Sequence, residues 1–173
     1  MQREGVIMIL GKVKDHPAYI TVSILFLWFA HVMLTLFGVI PDIWQQLRAS
    51  KESIDLYIAM LSVSALQASF AGVIVVFGLS TQPQAFRELR IHAGKSLIEN
   101  WMSISYSGFV SAGLSLIASV MNLLELSHYA PWFFELSVLF CVHGVIRLLW
   151  LLKDLIEVVK NDDIRVAQKE NDI

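Results

Sequence analysis

Apolar residues fill four long blocks of this chain, and polar or turn-forming positions separate them. The first block covers residues 18–40, AYITVSILFLWFAHVMLTLFGVI, between Pro17 and Pro41. Proline marks helix boundaries because it lacks an N–H and clashes with the preceding turn. The second covers 56–79 and lies inside a charge-free stretch, 56–86. The third covers 100–124 and carries no charge, and the fourth, 132–152, carries Glu135 and Arg147. A helix needs about 20 mostly apolar residues to cross a hydrocarbon core about 30 Å thick. The pattern therefore predicts an all-α integral membrane protein. It is read as a single four-helix transmembrane domain over 1–173, with spans at 18–40, 56–79, 100–124 and 132–152 and a C-terminal extension over 153–173.

Polar positions inside the blocks are sparse and regular. Ser103, Ser107, Ser111, Ser115 and Ser119 recur every fourth residue in the third span. The second span repeats the spacing with Ser64, Ala68 and Gly72. Helices in lipid gain nothing by leaving one apolar solvent for another, so they associate through close packing and interhelical hydrogen bonds. Small residues at that spacing follow the i±4 ridge of a helix. The second and third spans are thus expected to form the tight centre, with the first and fourth, richer in Phe, Trp and Leu, more peripheral. The competing reading has each hydroxyl bonding back to its own i−4 carbonyl.

A second pattern emerges on counting inward from the span ends. His31, Gln67, Ser111 and His143 each fall 11 to 13 residues from one end of their span. Polar groups at that depth face the bundle interior and bond to one another. The expectation is a midplane polar layer that sets helix register. Its two histidines, a residue type that titrates near neutrality, add the option of a switch.

Charge sets orientation and reach. Eleven of the thirteen Lys and Arg residues fall in the N-terminal segment, the 2–3 connection and the C-terminal end. Arg48 and Lys51, in the 1–2 loop, are the others. Cations concentrate on the cytoplasmic side, so both termini are expected there, in a multi-pass N-in/C-in arrangement. Trp44, Trp101, Trp132 and Trp150 near the span ends are expected to form an aromatic belt. The charge-free stretch 56–86 would make a helix of about 46 Å, longer than the hydrocarbon core, so the second span should project into the cytoplasm. The fourth should run on as well. Leu148, Leu152, Leu155 and Val159 are spaced 4, 3, 4, a heptad-like stripe for packing within the chain or on a partner. The polar tail NDDIRVAQKENDI is expected to fray.

Arg147 is expected to snorkel to headgroups or to meet Asp154 or Glu99, and Glu135 to stay hydrated at the outer interface beside Trp132. Arg87, Arg90, Lys95, Lys153 and Lys160 form an inner-face set for anionic headgroups or an acidic partner.

Composition agrees and excludes. Hydrophobic residues make up 56% of the chain, mean hydropathy is +0.63, and charged residues are 16%. A net charge of −2 points to no direct nucleic-acid partner. The single cysteine, Cys141, sits in an apolar run and reads as a core residue. No metal-ligand spacing, phosphate loop, dinucleotide turn or nucleophile–base pair is present, so neither an enzyme nor a cofactor is expected.

The four-span layout, the stretch AGVIVVFGLS followed by FRELRIHAGKS, and the helical C-terminal extension resemble the KwaA membrane subunits of Kiwa anti-phage systems. RexB-type phage-exclusion proteins are similar in layout. The resemblance implies a homo-oligomer, with a tetramer among the expected states, in the bacterial inner membrane. It implies a sensor or scaffold that responds to envelope disturbance and holds a cytosolic, DNA-acting partner protein. Residues 86–101 and 148–160 would be the docking surface. The alternative is a small ion channel or pore-forming effector that depolarises the membrane.

Overall fold

The computed structural model describes residues 17–80 and 94–171. It contains helices α1 (Pro17–Leu36), α2 (Gln45–Ala49), α3 (Ser53–Ser80), α4 (Gly94–Leu123) and α5 (Ala130–Asn171), and no strand among the described residues. Four of them are long and apolar enough to cross a membrane, with candidate spans Ala18–Leu36, Ser53–Ile74, Ile98–Leu123 and Ala130–Arg165. Arg87 and Arg90 lie outside the described residues, as do the side chain of Lys95, the N-terminal cations Arg3, Lys12 and Lys14, and most of the 2–3 connection.

The first span ends four residues earlier than the proline at 41 suggested. Gly38 takes a positive φ of 70°. Its N–H donates to the Thr35 carbonyl at 3.0 Å, and the Val39 N–H donates to the Leu34 carbonyl at 2.9 Å. This 5→2 and 6→1 pairing is the Schellman termination, which satisfies the last helical carbonyls. The same pairing ends α4, where Glu125 donates to Asn122 and Leu126 to Met121. There Glu125 itself holds the left-handed conformation, with φ 62°. The 37–52 and 124–129 connections meet at one end of the bundle, hereafter the turn end.

α4 is the central helix. It packs extensively on both α3 and α5, whereas α1 touches the bundle lightly, through α5 and α4. The fourth span is thus as central as the second, which corrects the expectation of a 2–3 pair with two peripheral helices. The reason lies in α5's own small residues, Ser137, Cys141 and Gly144, all buried against the bundle.

The core has three layers along the bundle axis. At the turn end, Tyr57, Ala118, Ala130 and Phe134 form an apolar cluster. At the opposite end, Ala71, Trp101, Ile104, Leu151 and Leu155 form another. Buried serines separate them. Trp101 is only 4% exposed and Trp132 6%, so neither belongs to an outward-facing aromatic belt. Both anchor the interior instead.

α5 is one unbroken helix of 42 residues, about 63 Å long at 1.5 Å per residue. The tail expected to fray is helical through Asn171. Leu155 is buried and Leu148 packs against the same cluster, so part of the heptad-like stripe packs within the chain.

Candidate functional site

Three polar arrangements stand out, one at each level of the bundle. The middle one is made of serines. Ser64, Ser111, Ser115 and Ser137 are all 0% exposed. Ser111 Oγ donates to the Ser137 carbonyl at 2.7 Å, and Ser137 Oγ donates to the Ser111 carbonyl at 2.8 Å. The two hydroxyl oxygens lie 2.9 Å apart. With both protons committed to carbonyls, the outer hydroxyls must supply the remaining ones. Ser64 donates to Ser111 Oγ and Ser115 donates to Ser137 Oγ, each at 2.7 Å. Four hydroxyls thus tie α3, α4 and α5 together, and each spends its one proton inside the group. Such a set specifies helix register.

The serine row itself divides by role. Ser111 and Ser115 bond across helices. Ser107 and Ser119 bond back to the Ser103 and Ser115 carbonyls at 2.8 and 2.9 Å, the local pattern that thins a helix without linking it. Ser103 is half-buried and lines a cleft facing α1. Ala68 meets α4 at Gly108, while Gly72 is exposed with open space around it. The ladder on α3 is therefore Ser64, Ala68, Ala71, turning to a spacing of three where the buried face follows the 3.6-residue period. Ser137 was missed. A lone hydroxyl in the otherwise apolar run LSVLF was the available signal.

The four midplane positions do not form one layer. Ser111 belongs to the serine group. Gln67 and His143 are buried on either side of the α3–α5 contact, and the Gln67 amide rests on Gly144, where an added methyl would displace it. The amide of Gln67 and Nε2 of His143 have no hydrogen-bond partner among the described residues. His31 lies elsewhere. Because α1 stops at Leu36, His31 is five residues from the helix end, about 8 Å by helical rise. Glu135 is likewise five residues into α5.

Those two equal depths bring the pair together at the turn end. His31 Nδ1 donates to Glu135 Oε1 at 2.6 Å, and Trp44 Nε1 donates to Glu135 Oε2 at 2.8 Å. Trp28 Nε1 donates to the Trp132 carbonyl at 3.0 Å. The Trp132 ring has His31 edge-on at 5.6 Å and the Arg48 guanidinium at 5.4 Å. Arg48 also pairs with Asp42 and donates to the His128 carbonyl at 2.9 Å. Glu135 is not the hydrated residue expected beside Trp132. It is the acceptor that joins α1, the 37–52 loop and α5. A carboxylate with two N–H donors is well compensated for its loss of water.

At the opposite end Arg147, 3% exposed, donates through Nη1 to Asn100 Oδ1. Snorkelling is thereby excluded, since the side chain turns into the α4–α5 contact. Beyond it α3 and α5 leave an apolar groove of about 640 Å³ lined by Val73, Ile74, Leu152, Ile156 and Val159, with Lys160 and Asp163 at its edge. Ile156 is 65% exposed and Lys153 is exposed; Asp154 is half-buried. Among the described residues no cluster of His, Cys, Asp or Glu could hold a metal ion. No protein-family model, curated protein or solved structure matches the chain.

Proposed function

We propose that the chain is a multi-pass membrane scaffold with both ends cytoplasmic, which presents the projecting part of α5 and the adjoining groove to a partner protein. The observation that carries this reading is the length and surface of α5. A helix of about 63 Å is roughly twice the thickness of a hydrocarbon core. Starting at Ala130, about 20 residues cross, so the helix leaves the bilayer near Trp150. Its exposed apolar positions do not stop there. Leu149, Ile156 and Val159 continue one face into the aqueous region, where unpartnered apolar surface is unfavourable and marks an interaction site.

The resemblance to KwaA membrane subunits supplies the setting: a homo-oligomer in a bacterial inner membrane that recruits and regulates a cytosolic, DNA-acting partner during phage attack. Lys153 and Lys160 on the same projection fit an acidic partner or anionic headgroups, and Arg87, Arg90 and Lys95 would extend that basic set. A small conducting channel fits less well, because the serine group ties the three central helices together where a lumen would run.

Co-purification with the product of a neighbouring gene tests the reading. The scaffold predicts capture by the intact chain and loss of capture on Ile156→Lys with Val159→Lys. Both variants lie outside the bundle, so membrane insertion should persist. Stepwise conductance of the purified chain in planar bilayers, without any captured partner, would favour the channel.

A further inference from the structure

We infer that the exposed face of α5 pairs with the same face of a second copy of this chain, about a two-fold axis along the bilayer normal. Val142, Val145, Leu149, Leu152, Ile156 and Val159 recur along α5 at spacings of 3, 4, 3, 4 and 3. A repeat of that kind turns one stripe of a helix towards another helix for as long as it is sustained. Val142 is 52% exposed, Leu149 59% and Ile156 65%, so the chain's own bundle leaves the stripe largely uncovered. α3 reaches it at the groove, with Val73 and Ile74.

The stripe has two halves in different solvents. As far as about Trp150 it faces acyl chains, which are as apolar as the stripe itself and give it no drive to pair. Beyond Trp150, Leu152, Ile156 and Val159 stand in water among Lys153, Glu157 and Lys160. There the hydrophobic effect does favour covering them, and the spacing makes a parallel helix the matching cover.

Charge selects a second copy as that helix. At about 100° per residue, Lys160 lies about 40° to one side of Ile156 and Asp163 about 20° to the other. Both are exposed, and both stand at the edge of the groove. A uniformly acidic partner would meet Asp163 there, and a uniformly basic one would meet Lys160. A second copy satisfies both, because a two-fold axis sets the cationic side of one helix against the anionic side of the other. Lys160 then meets the partner's Asp163, and the contact occurs twice. Copies in one membrane share an orientation, so residues of equal depth face each other. Positions 160 and 163 differ by about 4.5 Å along the helix, within the reach of a lysine side chain.

The pairing rests on the reading of α5 as a projecting docking helix, and it names what covers the stripe. The cytosolic partner then meets two projections side by side. The test uses the full chain, co-expressed with two different tags and extracted in mild detergent. One tag is captured and the other is counted. The parent should co-capture itself. Lys160→Glu leaves acidic groups on both sides of Ile156, and Asp163→Lys leaves basic ones. Each variant should co-capture itself about ten-fold less than the parent does, because two attractive contacts become repulsive. The mixed combination, Lys160→Glu on one tag and Asp163→Lys on the other, sets opposite charges together again and should return to the parent level. Glu157→Lys, about 100° away round the helix, should leave co-capture unchanged. Absence of co-capture by the parent, single variants that match the parent, or a mixed combination as low as the single variants overturns the pairing. If a neighbouring gene product is still captured in that case, the docking reading stands and the pairing alone fails; loss of both overturns the docking reading too.

Discussion

A methyl group built on Gly108 would lie 2.9 Å from the Cβ of Ala68 and 3.0 Å from its Cα and backbone N. Here α3 and α4 meet backbone to backbone, and the neighbour cannot give way by rotating a side chain. Gly108→Ala should therefore push the two helices apart and destabilise the bundle by about 1–3 kcal/mol, the usual effect of overpacking. Gly113, five residues on, has nothing within 4 Å of the same added methyl. Gly113→Ala should instead leave stability unchanged or raise it by up to about 1 kcal/mol, because alanine is the better helix former where nothing crowds it. Denaturant or thermal unfolding in detergent distinguishes the two variants.

The serine group makes a prediction about coupling. Ser111 and Ser137 exchange hydrogen bonds with each other's carbonyl, so removing either hydroxyl disturbs both. A double-mutant cycle with Ser111→Ala and Ser137→Ala should show a coupling of about 0.6–1.7 kcal/mol, the range measured between transmembrane helices. Ser62→Ala coupled with Ser137→Ala should show about zero, since exposed Ser62 bonds back to the Ile58 carbonyl of its own helix and shares no partner with the serine group.

The spans were legible because apolar runs of this length have few other solutions. The meeting of the second and third spans was legible because small residues spaced by four have a direct packing meaning. What escaped was the pairing of single polar residues across distant segments. Glu135 near a span end reads as hydrated until the fold brings in His31, 104 residues away, and Trp44, 91 residues away. Ser137 alone in its run has no spacing to announce it. The error in the depth of His31 traces to one local feature, the Gly38 turn, which ended α1 before Pro41.

Glu135 is the acceptor for both His31 and Trp44, so its loss should free α1 more than it loosens α3, α4 and α5. Glu135→Ala removes both bonds at once, and hydrogen bonds to a charged group are worth about 1.5–3 kcal/mol. Spin labels placed on α1 at Leu27 and on α5 at Val142, both largely exposed, should report a broadened distance distribution in the variant. A second label pair on Val63 of α3 and Ile117 of α4 should keep the parent distribution. Equal broadening of both pairs would mean that the carboxylate supports the whole bundle rather than the attachment of α1.

The end of α4 offers a stabilising change. Glu125 adopts φ 62° to close the Schellman termination, a conformation that costs a residue with a Cβ roughly 1–2 kcal/mol and glycine almost nothing. Glu125 is exposed. Glu125→Gly should therefore raise stability by about 1 kcal/mol, offset in part by the greater freedom glycine gives the unfolded chain. Glu125→Val, β-branched at the same positive φ, should instead lower it. Thermal unfolding of the two variants against the parent gives opposite signs if the left-handed cap is present in solution. The same sign for both would mean that α4 ends in another way.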